Sequence, residues 1–291
     1  MVDLMIIGKN GQLGTELVLF SKNLNKNFVA YGREELDITD ESQLKKAVEK
    51  NKPQIIINTS AYHVVVDCET NPLLAFEVNC VAVRNLAKLC KENNISFVTF
   101  STDYIFDGKK GKPYRENDKP NPLQMYGLSK LAGEYAALNV YPEKTYIIRT
   151  CGVYGGKKGS KSKKGNFVIN ILKEAKQKDI LEVSSEQIVN PTYAKDLAKA
   201  TLKLLELNPD PGIYHLVNEG YSSWYNFAKK IFKYAKMKKN ILPVDRNGKT
   251  GDIQKPIFSA LINTKAKKLG VILPQIDDGL KSYLENTKIY E

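Results

Sequence analysis

The stretch LMIIGKNGQLG, residues 4–14, joins a short apolar run to three evenly spaced glycines, and helical spacing begins at Gln12. A strand, a glycine turn and a helix in this order suit a phosphate ligand, because backbone N–H groups and the positive helix end then face an anion. Gly8, Gly11 and Gly14 would allow the tight turn, the approach of a pyrophosphate and close packing of helix on strand. We therefore predict a dinucleotide site here.

Apolar runs alternate with helical segments up to about residue 150. The runs are FVAYG, QIIINTS, ISFVTFSTDYIF and TYIIRT, and NPLLAFEVNCVAVRNLAKLCKENN has the spacing of one long helix. Alternation of this kind predicts an α/β fold with a doubly wound parallel sheet of the Rossmann type, whose sites lie at the carboxyl ends of the strands.

After Arg149 the strand-like pieces become shorter and prolines more frequent. We predict a dinucleotide-binding domain over residues 1–150 and a smaller C-terminal α/β substrate lobe over residues 151–291. The boundary is soft, and IYHLV, residues 213–217, could return to the main sheet.

Composition favours a cytoplasmic globular protein with neither a membrane nor a nucleic-acid partner. Hydrophobic residues make up 42% of the 291 residues, and no apolar run approaches the length that a bilayer requires. The beginning, MVDLMIIGKN, is unlike a signal peptide. The four cysteines have no paired spacing and are expected to be reduced. We expect a monomer or homodimer.

The net charge of +12 suggests an anionic ligand. Because the lysines are scattered over helical segments, a small anion is a better candidate than nucleic acid. One cluster differs: GGKKGSKSKKGN, residues 155–166, holds five lysines among glycines and serines. It is either a solvated loop or a flap that meets phosphates. His63 and His215 lack partners at ligand spacing, so no metal site is expected.

The choice between cofactors should be made at the end of the second apolar run, AYGREELDIT, residues 30–39. Arg33 is the first charged residue there, which favours NADPH because an arginine can accept a 2'-phosphate. Glu34 and Glu35 follow at once, so NADH stays possible. Asp37 and Ile38 are expected to flank the adenine.

Two further stretches indicate reduction of a carbonyl group. NPLQMYGLSK places Tyr126 four residues before Lys130, so on a helix the ammonium can lie beside the phenol and favour its ionised form. FSTDYIF ends the fourth run with hydroxyl groups, and Thr102 could polarise a substrate carbonyl that Tyr126 protonates. With a dinucleotide site, these are the parts of a hydride-transfer enzyme.

In these motifs the sequence resembles the extended short-chain dehydrogenase/reductases. From residue 5 to about 285 it is similar to the dTDP-4-dehydrorhamnose reductase family in GKNGQLG, NTSAYHVVVDCE, STDYIFDG, YGLSKLAGE, NPTYAKDLA and GIYHLVNEGYSSWYNFA. The resemblance implies NADPH-dependent reduction of the C4 keto group of a nucleotide-linked 4-keto-6-deoxy sugar, with dTDP-4-dehydro-L-rhamnose giving dTDP-L-rhamnose.

The resemblance also implies roles for individual residues. Tyr126 would supply the proton, Lys130 would hold the nicotinamide ribose, and Thr102 would bond the sugar oxygen. Other cofactor contacts would come from the glycine turn, the third strand and a helix asparagine of the proton relay, namely Asn10, Gly11, Gln12, Leu13, Ala61, Tyr62, His63 and Asn79. Contacts to the sugar nucleotide would come from Thr102, Asp103, Tyr104, Gly152 and Lys255.

The sequence departs from the family pattern at several positions. Gly152, in RTCGVYG, replaces a tryptophan expected to pack on the sugar, so the pocket could take a different or bulkier sugar. On this view Gly152→Trp would tighten selectivity for dTDP-4-dehydrorhamnose. Lys255 replaces an arginine and loses its bidentate fork for phosphate. Lys195 stands where an acid can hold a bridging metal, so none is expected.

Three alternatives remain open at this stage. A non-catalytic cofactor-binding subunit, similar to the regulatory subunit of methionine adenosyltransferase, would keep the fold without the reaction. A reductase of a different nucleotide keto-sugar would keep the reaction and change the substrate. A bifunctional epimerase and reductase is disfavoured, since no second domain is recognised in the sequence.

Overall fold

The protein is represented by a computed structural model, which describes residues 1–156, 159 and 164–290. Its main sheet has six strands, all paired in parallel, which confirms the predicted Rossmann-type α/β class. From edge to edge the strands are β10 (Gly212–His215), β5 (Thr145–Thr150), β4 (Ser96–Thr102), β3 (Ile55–Asn58), β1 (Leu4–Ile7) and β2 (Phe28–Tyr31).

The remaining strands are short and pair in twos. They are β6 (Val153–Tyr154), β7 (Ile180–Ser184), β8 (Ile188–Val189), β9 (Thr192–Tyr193), β11 (Ser222–Ser223), β12 (Asn240–Val244), β13 (Lys249–Thr250) and β14 (Ile253–Gln254).

Helices connect the strands and cover both faces of the main sheet. They are α1 (Gln12–Asn23), α2 (Glu41–Asn51), α3 (Val65–Thr70), α4 (Pro72–Phe76), α5 (Ala82–Glu92), α6 (Met125–Val140), α7 (Phe167–Gln177), α8 (Ala194–Glu206), α9 (Trp224–Tyr234), α10 (Thr264–Lys268) and α11 (Ile276–Thr287). The long helix expected after β3 is interrupted, because a π-helical turn over Glu77–Val81 separates α4 from α5.

The apolar run of β1 is buried on both sides, as expected for a parallel strand inside a sheet. Met5 and Ile7 join one core cluster with α2 and α5, whereas Leu4 and Ile6 join the opposite cluster with α1 and α8. The strand order places β1 next to β3, while the chain first visits β2. This reversal is the switch point where α/β sheets bind ligands.

Residues after 150 both complete the main sheet and build a smaller lobe. β10 pairs in parallel with β5, so the segment around His215 does return to the sheet. The lobe has its own core between α7, α9 and α11, in which the ring of Tyr154 stacks on that of Tyr193 with centroids 5.7 Å apart.

A buried ion pair fastens α6 to the sheet. The guanidinium of Arg149, on β5, donates to both carboxylate oxygens of Glu134, with Nη2 to Oε2 at 2.6 Å and Nε to Oε1 at 3.0 Å. Its Nη1 also donates to the Glu116 carbonyl at 3.2 Å. The Arg149 and Glu134 side chains are only 2% and 1% exposed. This bidentate contact sets the position of the helix that carries Tyr126 and Lys130.

Candidate active site

A cavity of about 450 Å³ opens at the carboxyl ends of β1, β3, β4 and β5. This is the edge where the strand order predicts a ligand. The turn after β1, the loop after β3, the end of β4 and the start of α6 line one part of it, and segments of the smaller lobe line the rest.

The glycine turn after β1 leaves no room for side chains. Gly8 has φ of +92°, and a Cβ atom on it would lie 2.4 Å from Thr59 Oγ1. A Cβ atom on Gly14 would lie 2.1 Å from the Gly8 carbonyl oxygen, so α1 can pack this closely only with glycine there. Gly11 precedes the first turn of α1 and lines the cavity, where the helix end offers free N–H groups to a phosphate.

The side chain of Gln12 connects the glycine turn to the smaller lobe. Its Oε1 accepts hydrogen bonds from the Gly155 N–H at 2.8 Å and from Asn166 Nδ2 at 3.1 Å. Gly155 and Asn166 are the first and last residues of the lysine-rich segment 155–166. Residues 157, 158 and 160–163 lie outside the described residues. The predicted phosphate-binding flap falls mostly on these positions and so lies outside them too.

At the end of β2 the carboxylates and the arginine are separated. Glu35 accepts a hydrogen bond from the Gly32 N–H at 2.7 Å and pairs with Lys9 at 2.6 Å. Both contacts lower the pKa of Glu35, and the hydrogen bond from Gly32 has the larger effect. Arg33 is exposed and forms none of the ion pairs found among the described residues. Its guanidinium is therefore exposed to solvent and is not held by a carboxylate in the described ranges.

Asp37 and Ile38 do not reach the cavity lining. The Asp37 carboxylate accepts from the Thr39 N–H at 2.9 Å and from its hydroxyl at 2.7 Å, so it closes a local turn. The backbone hydrogen bond is the main cause of its lowered pKa. Ile38 is buried in the core below α2.

Asn79 holds the loop after β3 against α6. It lies in the π-helical turn, and its amide bonds both backbone groups of Tyr62, accepting at 2.9 Å and donating at 2.8 Å. Its Nδ2 also donates to Ser129 Oγ at 3.0 Å, and that hydroxyl donates to the Tyr126 carbonyl at 2.9 Å. The Asn79 amide therefore holds the loop after β3 and the start of α6 together, and it is not part of the cavity lining.

Helix α6 brings Tyr126 and Lys130 to the cavity. Gln124 caps it through a hydrogen bond from the Gly127 N–H at 2.6 Å. A Cβ atom on Gly127 would lie 2.1 Å from the Tyr104 carbonyl oxygen, so a glycine allows the helix to begin directly against β4's end. The ring of Tyr126 meets that of Tyr104 edge-on, with centroids 6.1 Å apart.

Burial dominates the charge states of this pair. It raises the pKa of Tyr126, so the phenol keeps its proton, contrary to the expectation that the lysine favours the ionised form. Burial also lowers the pKa of Lys130 to about 8, while the negative charge of Glu134 acts to raise it. A protonated phenol beside a group that is still cationic at neutral pH is suited to giving a proton to a carbonyl oxygen.

A buried polar cluster supports Thr102. The Thr102 hydroxyl donates to Asp103 Oδ1 at 3.2 Å, and Ser259 donates to Asp103 Oδ2 at 2.5 Å. Burial raises the pKa of Asp103 and also that of neighbouring Cys151. Ser259 lies in KPIFSAL and Cys151 in RTCGVYG, but no sequence pattern marks either of them as a site residue.

Gly152 and Trp224 meet at the far side of the cavity. Ser223 caps α9, as its sequence suggests, and the Trp224 ring lies against Phe167 with centroids 4.4 Å apart. Gly152 has φ of +55°, and a Cβ atom on it would lie 3.3 Å from Trp224 Cη2 and 3.0 Å from the Asn190 carbonyl oxygen. Gly152→Trp would therefore strain the backbone and collide with this wall, which replaces the expectation of a simple gain in selectivity.

The structure brings together twelve of the twenty predicted site residues around the cavity. Those that line the cavity are Gly11, Gln12, Leu13, Gly14, Ala61, His63, Thr102, Asp103, Tyr104, Tyr126, Lys130 and Gly152. Those outside the lining are Gly8, Asn10, Arg33, Asp37, Ile38, Tyr62, Asn79 and Lys255. Lys255 lies on a loop of the smaller lobe, where its N–H donates to the Gly248 carbonyl at 2.6 Å and burial lowers its pKa.

Within the described part of the chain, no three His, Cys, Asp or Glu side chains are grouped as metal ligands. His215 is buried under the edge of Phe106, and burial with the nearby Arg149 charge lowers its pKa to about 3, so it is neutral. Of the helices in the described ranges, none has the length and apolar character needed to cross a bilayer.

Nearly the whole chain matches a known family. Residues 2–289 match the family model described as RmlD substrate binding domain. The chain belongs to this family. The spore coat polysaccharide biosynthesis protein SpsK of Bacillus subtilis is 34% identical to it over 98% of each chain. A dTDP-4-dehydrorhamnose reductase of Streptomyces griseus is 35% identical over 79% of this chain and 75% of its own.

Solved structures agree with the RmlD assignment. The dTDP-4-dehydrorhamnose reductase of Bacillus anthracis, crystallised in complex with NADP, superposes with a TM-score of 0.91 at 34% identity, covering 98% of this chain and 99% of its own. The shared fold therefore extends over both the main sheet and the smaller lobe.

Proposed function

We propose that this protein is an NADPH-dependent reductase of the C4 keto group of a nucleotide-linked 4-keto-6-deoxy sugar. The favoured substrate is dTDP-4-dehydro-L-rhamnose, which would be reduced to dTDP-L-rhamnose. The observation that carries the proposal is the meeting of Thr102, Tyr126 and Lys130 with the glycine turn around one cavity. The names of the reductase relatives and the NADP in the Bacillus anthracis structure support it.

The residues present fit a nicotinamide dinucleotide. Gly8 and Gly14 allow the turn and α1 to pack closely together, and Gly11, Gln12 and Leu13 at the start of α1 line the cavity, where a helix N-terminus suits a phosphate. Arg33, free of ion pairs among the described residues, is suited to a 2'-phosphate and favours NADPH over NADH. When bound, the cofactor supplies hydride to the carbonyl carbon.

The chain's own groups then perform the proton chemistry. The Thr102 hydroxyl, held by Asp103, would hydrogen-bond the carbonyl oxygen of the sugar. Tyr126, kept protonated by burial, would donate its proton to that oxygen as negative charge develops on it. Lys130, buried and still cationic below a pKa of about 8, would stabilise the phenolate left behind and bind the nicotinamide ribose.

A different nucleotide keto-sugar is the second candidate. It is favoured by SpsK, which matches nearly the whole chain, and by Gly152, which stands where the family pattern has a tryptophan. The two candidates share the reaction and the cofactor, so one panel of substrates separates them.

The test is NADPH oxidation by the purified protein on addition of dTDP-4-dehydro-L-rhamnose, with NADH and a blank without sugar in parallel. We expect rapid, sugar-dependent oxidation that is faster with NADPH. Oxidation with another nucleotide keto-sugar but not with this one would support the second candidate. Tight NADPH binding with no oxidation by any keto-sugar would contradict both and favour a non-catalytic binding subunit.

A further inference from the structure

Trp224 is the single tryptophan of the sequence, and it belongs to the smaller lobe, yet it lines the same cavity as Tyr126 and Thr102. It begins α9, where the Ser223 hydroxyl accepts a hydrogen bond from the Asn226 N–H at 3.1 Å. A capped first turn fixes the direction in which a side chain leaves the helix. The indole therefore has a defined position at the cavity.

Aromatic rings hold the indole from behind. Phe167, the first residue of α7, also lines the cavity and lies 4.4 Å from Trp224 between ring centroids. Phe227 meets the indole edge-on at 6.2 Å and belongs to the buried core of the lobe. The indole also packs on the core cluster that holds Cys151 and Val189, and both of these residues line the cavity as well.

The backbone opposite the indole is shaped to leave it room. Gly152 takes φ of +55°, a conformation that side chains disfavour, and its missing Cβ atom would lie 3.3 Å from Trp224 Cη2. The same atom would also lie 3.3 Å from Pro191 Cα. Gly152 and Trp224 are thus complementary, since the glycine keeps the strand end bare where the indole approaches.

We propose that Trp224, backed by Phe167, is the apolar wall against which the sugar ring of the substrate packs and that it determines which sugars the cavity accepts. The proposal rests on the proposed reductase function. A hexose has apolar C–H faces and a 6-deoxy hexose adds a methyl group, and both are favoured against an indole. A hydroxyl in the place of that methyl group would lose water there without gaining a partner.

The unique tryptophan makes the wall observable by fluorescence. The protein saturated with NADP⁺ is titrated with dTDP-L-rhamnose and, separately, with dTDP, while calorimetry measures binding of each. We expect dTDP-L-rhamnose to change the emission of Trp224 and dTDP to bind with little change, because only the sugar reaches the indole. Equal responses to both ligands, or binding of dTDP-L-rhamnose without a response, would overturn the proposal.

Kinetics of three variants provide a second readout. Trp224→Ala should raise KM for dTDP-4-dehydro-L-rhamnose by about tenfold or more, as expected for loss of one large buried apolar contact, and Trp224→Phe by less. NADPH affinity should stay within about twofold of wild type. Tyr225→Ala is the matched control, because Tyr225 is the next residue of the same helix and lies outside the cavity lining. A wild-type KM in Trp224→Ala would overturn the proposal.

Failure of the reductase proposal can be told apart from failure of this one. If the wild type oxidises no NADPH with any nucleotide keto-sugar, the reductase function is contradicted, and the fluorescence titration still tests whether the sugar packs on Trp224. A change in Trp224 emission with dTDP-L-rhamnose that dTDP does not reproduce supports the proposed wall, and any other result overturns that proposal. Turnover by the wild type with unchanged kinetics in Trp224→Ala contradicts the wall alone.

Discussion

Replacing Glu134 by glutamine should both destabilise the protein and alter the pH dependence of reduction. Glu134 is the only carboxylate that Arg149 pairs with among the described residues, and both side chains are almost fully buried. Glu134→Gln keeps the shape and leaves the guanidinium charge without compensation in the interior. Removing one partner of such a pair costs about 3–5 kcal/mol of the free energy of unfolding.

The expected loss converts to a measurable shift in melting temperature. For a chain of this size roughly 2 °C is lost per kcal/mol, so Tm should fall by about 6–10 °C. The control is Glu174→Gln, because Glu174 forms an exposed pair with Lys178 at 2.6 Å. An exposed pair contributes about 0–1 kcal/mol, and its Tm should stay within about 2 °C of wild type.

The same substitution should act on the reaction through Lys130. The charge of Glu134 supports the protonated form of Lys130 against burial, and the two effects together leave the pKa of that amine at about 8. Without the carboxylate the pKa falls further, so the loss of NADPH oxidation at high pH should begin at lower pH than in the wild type. Thermal unfolding by circular dichroism and rate profiles between about pH 6 and 9 measure the two effects. Equal Tm values for Glu134→Gln and Glu174→Gln would refute the anchoring role, and an unchanged alkaline limb would refute the electrostatic coupling.

Three further substitutions test the site. Tyr126→Phe should reduce sugar-dependent NADPH oxidation by about 10²–10⁴-fold with unchanged NADPH affinity, and turnover near wild type would remove the phenol from the mechanism. Arg33→Ala should weaken NADPH binding roughly tenfold in a fluorescence titration and leave NADH binding unchanged; equal losses would argue against a 2'-phosphate contact. Gly152→Ala should cost about 1–3 kcal/mol in urea unfolding. Gly111→Ala, at φ of +66° with open space around it, should cost less, and equal costs would mean that the crowding at Gly152 is unimportant.

Much of the fold could be predicted because its signals are local. The buried strand β1 has an unbroken apolar run, and Gly8 and Gly14 stand where backbone contact leaves no space for a Cβ atom. The π-helical turn at Glu77–Val81 could not be predicted, since one extra residue per turn barely disturbs helical spacing over that stretch. Its effect is visible only in three dimensions, where it carries Asn79 to the Tyr62 backbone.

The parts of the site that sequence patterns missed are contacts between distant segments. The hydrogen bond from Ser259 to Asp103 joins residues 156 positions apart, and Gln12 reaches Asn166 over 154 positions. Trp224 lies in the stretch GIYHLVNEGYSSWYNFA, and no pattern in that stretch indicates that it lines the cavity. No sequence periodicity predicts that the first residue of α9 lies against the end of β5, because that contact depends on how the smaller lobe packs on the sheet.

The Tyr126 and Lys130 pair illustrates how burial decides chemistry that spacing only suggests. Four residues apart on a helix, the ammonium would be expected to lower the pKa of the phenol, and a base would result. In the structure Lys130 is buried and Tyr126 is partly buried at the cavity, so the phenol holds its proton more tightly and the ammonium less tightly. A reductase needs the proton on the phenol before charge develops on the substrate oxygen, and it needs the cation once the proton has left. Burial of the phenol meets the first requirement, and Glu134 partly preserves the second by supporting the charge of Lys130. Through its pair with Arg149 and its charge near Lys130, Glu134 therefore influences both the position of α6 and the charge of Lys130.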